Sequence, residues 1–349
     1  MDLSVLFFLS SGLFLGWTFG ANNMSSVFGT AIGTKMISFK KAAIVASILI
    51  VLGAVISGQG VSGTLQDLGR VNTLAGAFMT ALSAAITMFI MTHIGLPVSS
   101  TQAIVGALVG WSFFAHVDVK WDIVGKIVLS WFTSPLFAII IAFLLTVFIR
   151  FYLKYRPVPM LYRDAYTRAG LFLAGAFCAY FLGANNIGNV MAPFVRVIHL
   201  PTLDFFGLFS LNSAQQLFFI GGLAIVVGIF TYSNKVNETV GENVFAMSPI
   251  EAFVVGVTQG IILFLFSSVS FHNFLLKCHL PTFPLVPISN VGTVIGGLIG
   301  VCLTKKGQGL QIKALFRIMQ AWIITPIISA FICYFALFFM QNVFGQEVL

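Results

Sequence analysis

The chain has 349 residues, of which 58% are hydrophobic and only 8% charged, and its formal net charge at pH 7 is +8. Soluble domains carry about 25% charged residues, so this composition excludes a water-soluble enzyme and demands a polytopic membrane protein. At about 20 residues per crossing there is room for roughly ten to twelve spans and none for a sizeable soluble domain.

In chain order, apolar stretches lie near 3–34, 42–57, 74–91, 95–114 and 124–149, then near 170–195, 206–231, 246–266, 284–304 and 315–340. The first carries Asp2 and no basic leader, so it is expected to stay as the first span and not to be cleaved. Ten crossings put twelve Lys and Arg on one side of the membrane, against Arg70, Lys120, Arg196 and Lys277 on the other. The basic side is expected to be cytoplasmic and both termini to face outward. The stretch 150–168, rich in Arg and broken by two Pro, divides the chain nearly in half and reads as a cytoplasmic linker between units 1–149 and 169–349. The basic residues sit at span ends, which favours topology over nucleic-acid binding. Cys178, Cys278, Cys302 and Cys333 have no CxxC spacing and read as small core residues.

The two units echo each other. GANN occurs at 20–23 and at 183–186; PVSSTQAIVGALVG at 97–110 answers PISNVGTVIGGLIG at 287–300; WFTSP at 131–135 answers WIITP at 322–326. Lys126 and Arg317 also correspond, either as charges facing an anion or as side chains reaching to the interface. Five spans per unit make the copies cross in opposite senses, and inverted-topology repeats are an architecture of secondary transporters. The predicted fold class is therefore an all-α polytopic membrane protein of about 10–12 helices, in two inverted repeats with broken or re-entrant helices.

Two segment types carry the chemistry. Around the first GANN, Asn22, Asn23, Ser26 and Thr30 place polar groups at membrane depth, and Asn185, Asn186 and Asn189 do so in the second, where Pro193 is expected to stop the helix. A helix break there would free carbonyl oxygens for a cation and aim a helix N-terminus at an anion. The alternative is close packing of small residues, with Asn bonding between helices. After Pro97, the residues Ser99, Ser100, Thr101 and Gln102 offer hydroxyls, an amide and backbone N–H groups at a helix start, which suits a tetrahedral oxyanion. Ser289 and Asn290 after Pro287 are the weaker copy, and ordinary capping is the alternative for them. HExxH, GxSxG and paired membrane carboxylates do not occur, so no enzyme is expected.

GANN followed by SSVFGTAIGT resembles the GAND signature of the inorganic phosphate transporter (PiT) family, and LPVSSTQAIVGALVG is similar to that family's LPVSTTHA segment. With both motifs doubled, the chain is identified as a divergent member. The resemblance implies a multi-pass protein of the inner or plasma membrane, without a cofactor, importing phosphate with Na⁺ or H⁺. It implies an anion held by Ser99, Ser100, Thr101, Gln102, Ser289 and Asn290, and a cation beside Asn22, Asn23, Ser26, Thr30, Asn185 and Asn186, with Na⁺ assigned to Asn23 and Asn186. The chain departs from the family where Asn23 and Asn186 replace Asp and Gln102 replaces His. A site of donors alone suits sulfate, which carries no proton, so sulfate is the alternative substrate and an ion channel a lesser one. The oligomeric state is open between a monomer and a homodimer.

Overall fold

The computed structural model describes residues 3–348 apart from 95–97, 157–158, 206, 208, 234–246, 306 and 308–311. The first half holds α1 (Leu3–Gly33), α2 (Phe39–Ser57), α3 (Gln59–Gly69), α4 (Leu74–His93), α5 (Ser100–Phe114) and α6 (Trp121–Tyr155). The second holds α7 (Met160–Val195), the antiparallel strands β1 (Leu203–Phe205) and β2 (Phe209–Leu211), α8 (Ser213–Thr231), α9 (Pro249–Ser267), α10 (Val269–Lys277), α11 (Asn290–Leu303) and α12 (Ile312–Asn342). Among the described residues eight helices are long and apolar enough to cross a bilayer: α1, α2, α4, α6, α7, α8, α9 and α12. The chain is thus a multi-pass membrane protein.

Several helix starts follow from local chemistry. Asn212 and Gln215 form a reciprocal capping box that begins α8, so this span starts at Ser213, later than the expected 206, and the β-hairpin precedes it. Ser248 and Glu251 do the same for α9, with Pro249 in its first turn.

The structure corrects four expectations. The helices do not break at GANN: α1 and α7 run unbroken through 20–23 and 183–186. Three of the four GANN asparagines bond back along their own helix, and the fourth, Asn185, bonds to the chain before α11. Asn22, Asn23 and Asn186 donate to the Thr18, Phe19 and Leu182 carbonyls at 2.9, 3.1 and 3.0 Å, the residues one turn back. Pro193 does not stop α7 either; it lies inside the helix, which ends at Val195. The linker 150–168 is mostly helix, because α6 continues to Tyr155 and α7 begins at Met160. Finally, the stretches 95–114 and 284–304 are not helical throughout: α5 and α11 have 15 and 14 residues, short of the roughly 20 needed to span. The breaks expected at GANN fall instead just before Ser100 and Asn290.

Packing is reciprocal between the halves. A Cβ at Gly20 of α1 would overlap the Ile225 carbonyl of α8, and one at Gly183 of α7 would overlap the Ile50 carbonyl of α2. The GANN glycines therefore let each long helix touch the backbone of a helix from the other half. In the same way Gly106 of α5 lies against Pro326 of α12, and Gly296 of α11 against Pro135 of α6. These seams draw both Asn-bearing helices and both short helices into one buried centre.

Candidate functional site

The centre is built from the starts of α5 and α11. Ser99 has extended backbone (φ −94°, ψ 127°) and Ser289 likewise (φ −81°, ψ 112°), so each turns an incoming chain into a helix. Ser289 caps its helix in the ordinary way, its hydroxyl accepting from the Gly292 N–H at 3.1 Å. Ser99 makes no side-chain cap bond. Both starts are buried in the protein and adjoin: the Thr101 hydroxyl donates to the Ile288 carbonyl at 3.1 Å.

The Asn residues of α1 and α7 close the cluster. Asn189 Nδ2 reaches Ser100 Oγ at 3.2 Å, Thr101 Oγ1 at 3.1 Å and Asn186 Oδ1 at 3.0 Å. Asn186 Nδ2 donates to Asn290 Oδ1 at 3.3 Å, and Asn290 Nδ2 to Asn23 Oδ1 at 3.4 Å. Asn185 holds the extended chain before α11, donating to the Val286 carbonyl at 3.5 Å and accepting from the Ile288 N–H at 3.2 Å. One chain of hydrogen bonds therefore runs from the first GANN through the second to both helix starts. All these side chains are buried, and none of them carries a charge.

Of the twelve residues singled out from the sequence, Ser100, Thr101, Ser289, Asn290, Asn23, Asn185 and Asn186 meet at this cluster, with Ser99 at its edge. Gln102 is fully buried in the first turn of α5, and its amide nitrogen and oxygen have no partner. Ser26 and Thr30 are half-buried farther along α1, where Ser26 donates to the Asn23 carbonyl at 2.7 Å. Asn22 is half-buried and bonds back to Thr18.

Two further residues at this level were given no ligand in advance: Asn189, noted only for its polarity at membrane depth, and Gln259. Asn189 sits three residues after Asn186, a spacing that shares one helix face and could have marked it. Gln259 of α9 is fully buried with both amide atoms unpartnered. Val255 against Gly297, and Glu251 at the start of α9 paired with Lys305 just past the end of α11, show α9 and α11 to be antiparallel. Gln259 is thereby level with the first turn of α11, but no pattern in the sequence distinguished it. Lys126 is exposed on α6; the Arg317 side chain lies outside the described residues.

Ion pairs sit away from the cluster, at helix ends. Arg196 at the end of α7 pairs with Asp67 of α3 at 2.7 Å. Glu251 at the start of α9 pairs with Lys305 at 2.5 Å and lies 3.9 Å from Arg150. A cavity of about 300 Å³ between α6, α7 and α9 is lined by Ile149, Tyr152, Arg163 and Phe253 and is likewise remote from the cluster. No group of His, Cys, Asp and Glu that could hold a metal ion occurs among the described residues.

The family model described as the phosphate transporter family matches residues 19–272, a span that includes both GANN motifs and the start of α5. The chain belongs to the phosphate transporter family. It is a membrane transporter of inorganic phosphate and not an enzyme. A provisionally named phosphate permease of Methanocaldococcus jannaschii is 25% identical over 335 residues, covering 95% of this chain and 96% of its own. Another from Chlamydia trachomatis is 22% identical, covering 90% and 93% respectively. A solved structure entitled "The sodium-dependent phosphate transporter" superposes with a TM-score of 0.80 at 20% identity, covering 98% of this chain and 100% of that one, which establishes a shared fold. The relatives are named for phosphate, so the sulfate alternative is not favoured.

Proposed function

We propose that the protein imports phosphate by cotransport with Na⁺, binding the oxyanion where the starts of α5 and α11 meet. The observation that carries this reading is the junction itself: Asn189 bonded to Ser100 and Thr101, and Thr101 bonded to Ile288. Two helix starts, one from each half, bring backbone N–H groups and hydroxyls to one buried spot, as an anion site requires. Ser99, Ser100, Thr101 and Gln102 serve the anion from α5, and Ser289 and Asn290 from α11. The oxygens of Asn23, Asn186 and Asn189 serve the cation beside it.

Na⁺ is favoured over H⁺ because the cluster's described side chains are amides and hydroxyls, which do not titrate in water's working range. The neighbour's title, naming sodium dependence, supports the same choice. The reciprocal glycine seams support two inverted repeats, with the 150–168 linker between them on the cytoplasmic side.

Uptake of labelled phosphate into proteoliposomes, with Na⁺ and pH gradients imposed separately, is the test. An inward Na⁺ gradient should drive saturable uptake, and a pH gradient alone should not. Uptake driven by the pH gradient without Na⁺ would contradict Na⁺ coupling, and no phosphate uptake under any gradient would contradict the site.

A further inference from the structure

The cavity between α6, α7 and α9 lies away from the buried cluster, where helices leave the bilayer. Its α9 wall is Ile250 and Phe253, at the start of a 19-residue helix. A helix of that length only just crosses the hydrocarbon core of about 30 Å, so its start stands at the interface. With 35 and 36 residues, α6 and α7 are each roughly 50 Å long and carry their joined ends past that level.

The lining is graded in polarity along the helices. Arg163, Tyr166 and Thr167 follow one another into α7 from the linker. Two turns past Arg163, a Cβ at Gly170 would come within 2.8 Å of the Phe253 ring, which closes the floor. Arg163 is thus rooted about 10 Å nearer the linker than that apolar floor. Ile149 and Leu153 of α6 add an apolar flank, and the volume of about 300 Å³ is at the small end for ligand sites. Charge points the same way. Residues 150–168 hold five Lys and Arg against one acid, Asp164, together with four of the chain's seven tyrosines. Asp164 is taken by Arg168 at 3.1 Å, and Arg150 donates to the Thr304 carbonyl at 3.1 Å beside Glu251. Among the described residues Arg163 has no carboxylate partner, and it is the one cation in the lining.

We propose that this cavity binds an anionic phospholipid of the cytoplasmic leaflet, with Arg163 donating to the headgroup phosphate and an acyl chain lying against Ile149, Ile250 and Phe253. Basic residues and tyrosines at the cytoplasmic interface are the chemistry that holds such headgroups. A soluble anion would satisfy Arg163 but leave the apolar floor uncovered; a lipid serves both ends of the cavity. A zwitterionic lipid has the same phosphate but brings a cation into a segment already rich in them. The bound lipid ties the ends of α6, α7 and α9 to the leaflet, independently of where phosphate binds.

The test is native mass spectrometry and thermal melting of the full chain in detergent micelles, with phosphatidylglycerol or phosphatidylcholine added. Phosphatidylglycerol should stay bound and raise the melting temperature, and phosphatidylcholine should do so less. Arg163→Gln should weaken phosphatidylglycerol binding about tenfold, and Arg168→Gln, which removes an equal charge outside the lining, far less. Both side chains are exposed, so neither change threatens the fold. Equal binding of the two lipids would overturn the proposal. So would equal losses in the two variants, which would reveal diffuse attraction to the basic segment, or displacement of the lipid by inorganic phosphate, which would assign Arg163 to a soluble anion. Ile250→Trp, which fills the cavity, should abolish the preference for phosphatidylglycerol; a folded Ile250→Trp variant that keeps it would also contradict the site.

Discussion

Asn189→Leu is expected to raise the half-saturation concentration for phosphate by about ten- to a hundredfold, the cost of leaving buried acceptors without their donor. Asn189 is fully buried, and its amide nitrogen lies within hydrogen-bond distance of Ser100 Oγ, Thr101 Oγ1 and Asn186 Oδ1. Leucine matches its size but supplies no N–H, so the helix start and the second GANN lose their common partner. The hydroxyls would then turn toward other acceptors and away from the anion. Labelled-phosphate uptake checks the affinity, and a melting curve in detergent checks the fold. A well-folded variant with unchanged affinity would mean that Asn189 joins helices without organising the site.

The second large effect is expected from Asn23→Asp combined with Asn186→Asp, which writes GAND at both positions. Asn186 now donates to the Leu182 carbonyl and to Asn290 Oδ1. A carboxylate there would face two acceptors and lose both bonds, and at Asn23 it would add a second charge to a buried site. Only a bound cation relieves such a pair. The double variant should therefore be less stable than the parent without Na⁺, and should gain stability steeply as Na⁺ is added, while its phosphate uptake becomes more Na⁺-dependent. Ligand-linked stabilisation of about 3 kcal/mol corresponds to a cation near a hundredfold its dissociation constant. A double variant whose melting temperature and Na⁺ dependence both match the parent would place the cation away from the GANN helices.

The membrane class, the doubled motifs and the helix starts at Ser100 and Asn290 were legible because each follows from a local rule. Composition excludes water as the solvent, and a Pro–hydroxyl segment after an apolar run marks where a helix begins. The unbroken GANN helices were not legible in the same way. Gly and Asn weaken a helix in isolation, but Asn23 and Asn186 bond back to their own helices while Gly20 and Gly183 admit the backbones of α8 and α2. That compensation is tertiary and leaves no periodic trace. Gln259 was hidden for a related reason: its importance lies in the antiparallel register of α9 against α11, which connects residues far apart in the chain. The spans that proved partly extended were misread because hydropathy measures the solvent around a segment and not its backbone conformation.

The central claim is that the junction of the two short helices binds phosphate, and the most direct measurement is the half-saturation concentration for phosphate in the Ser99→Ala, Ser100→Ala, Thr101→Ala triple variant, reconstituted beside the parent under the same Na⁺ gradient. Each hydroxyl lost from an ionised ligand costs about 1.5–3 kcal/mol, so the account predicts a rise of at least tenfold with the protein still folded. An unchanged half-saturation concentration in a folded triple variant would contradict it.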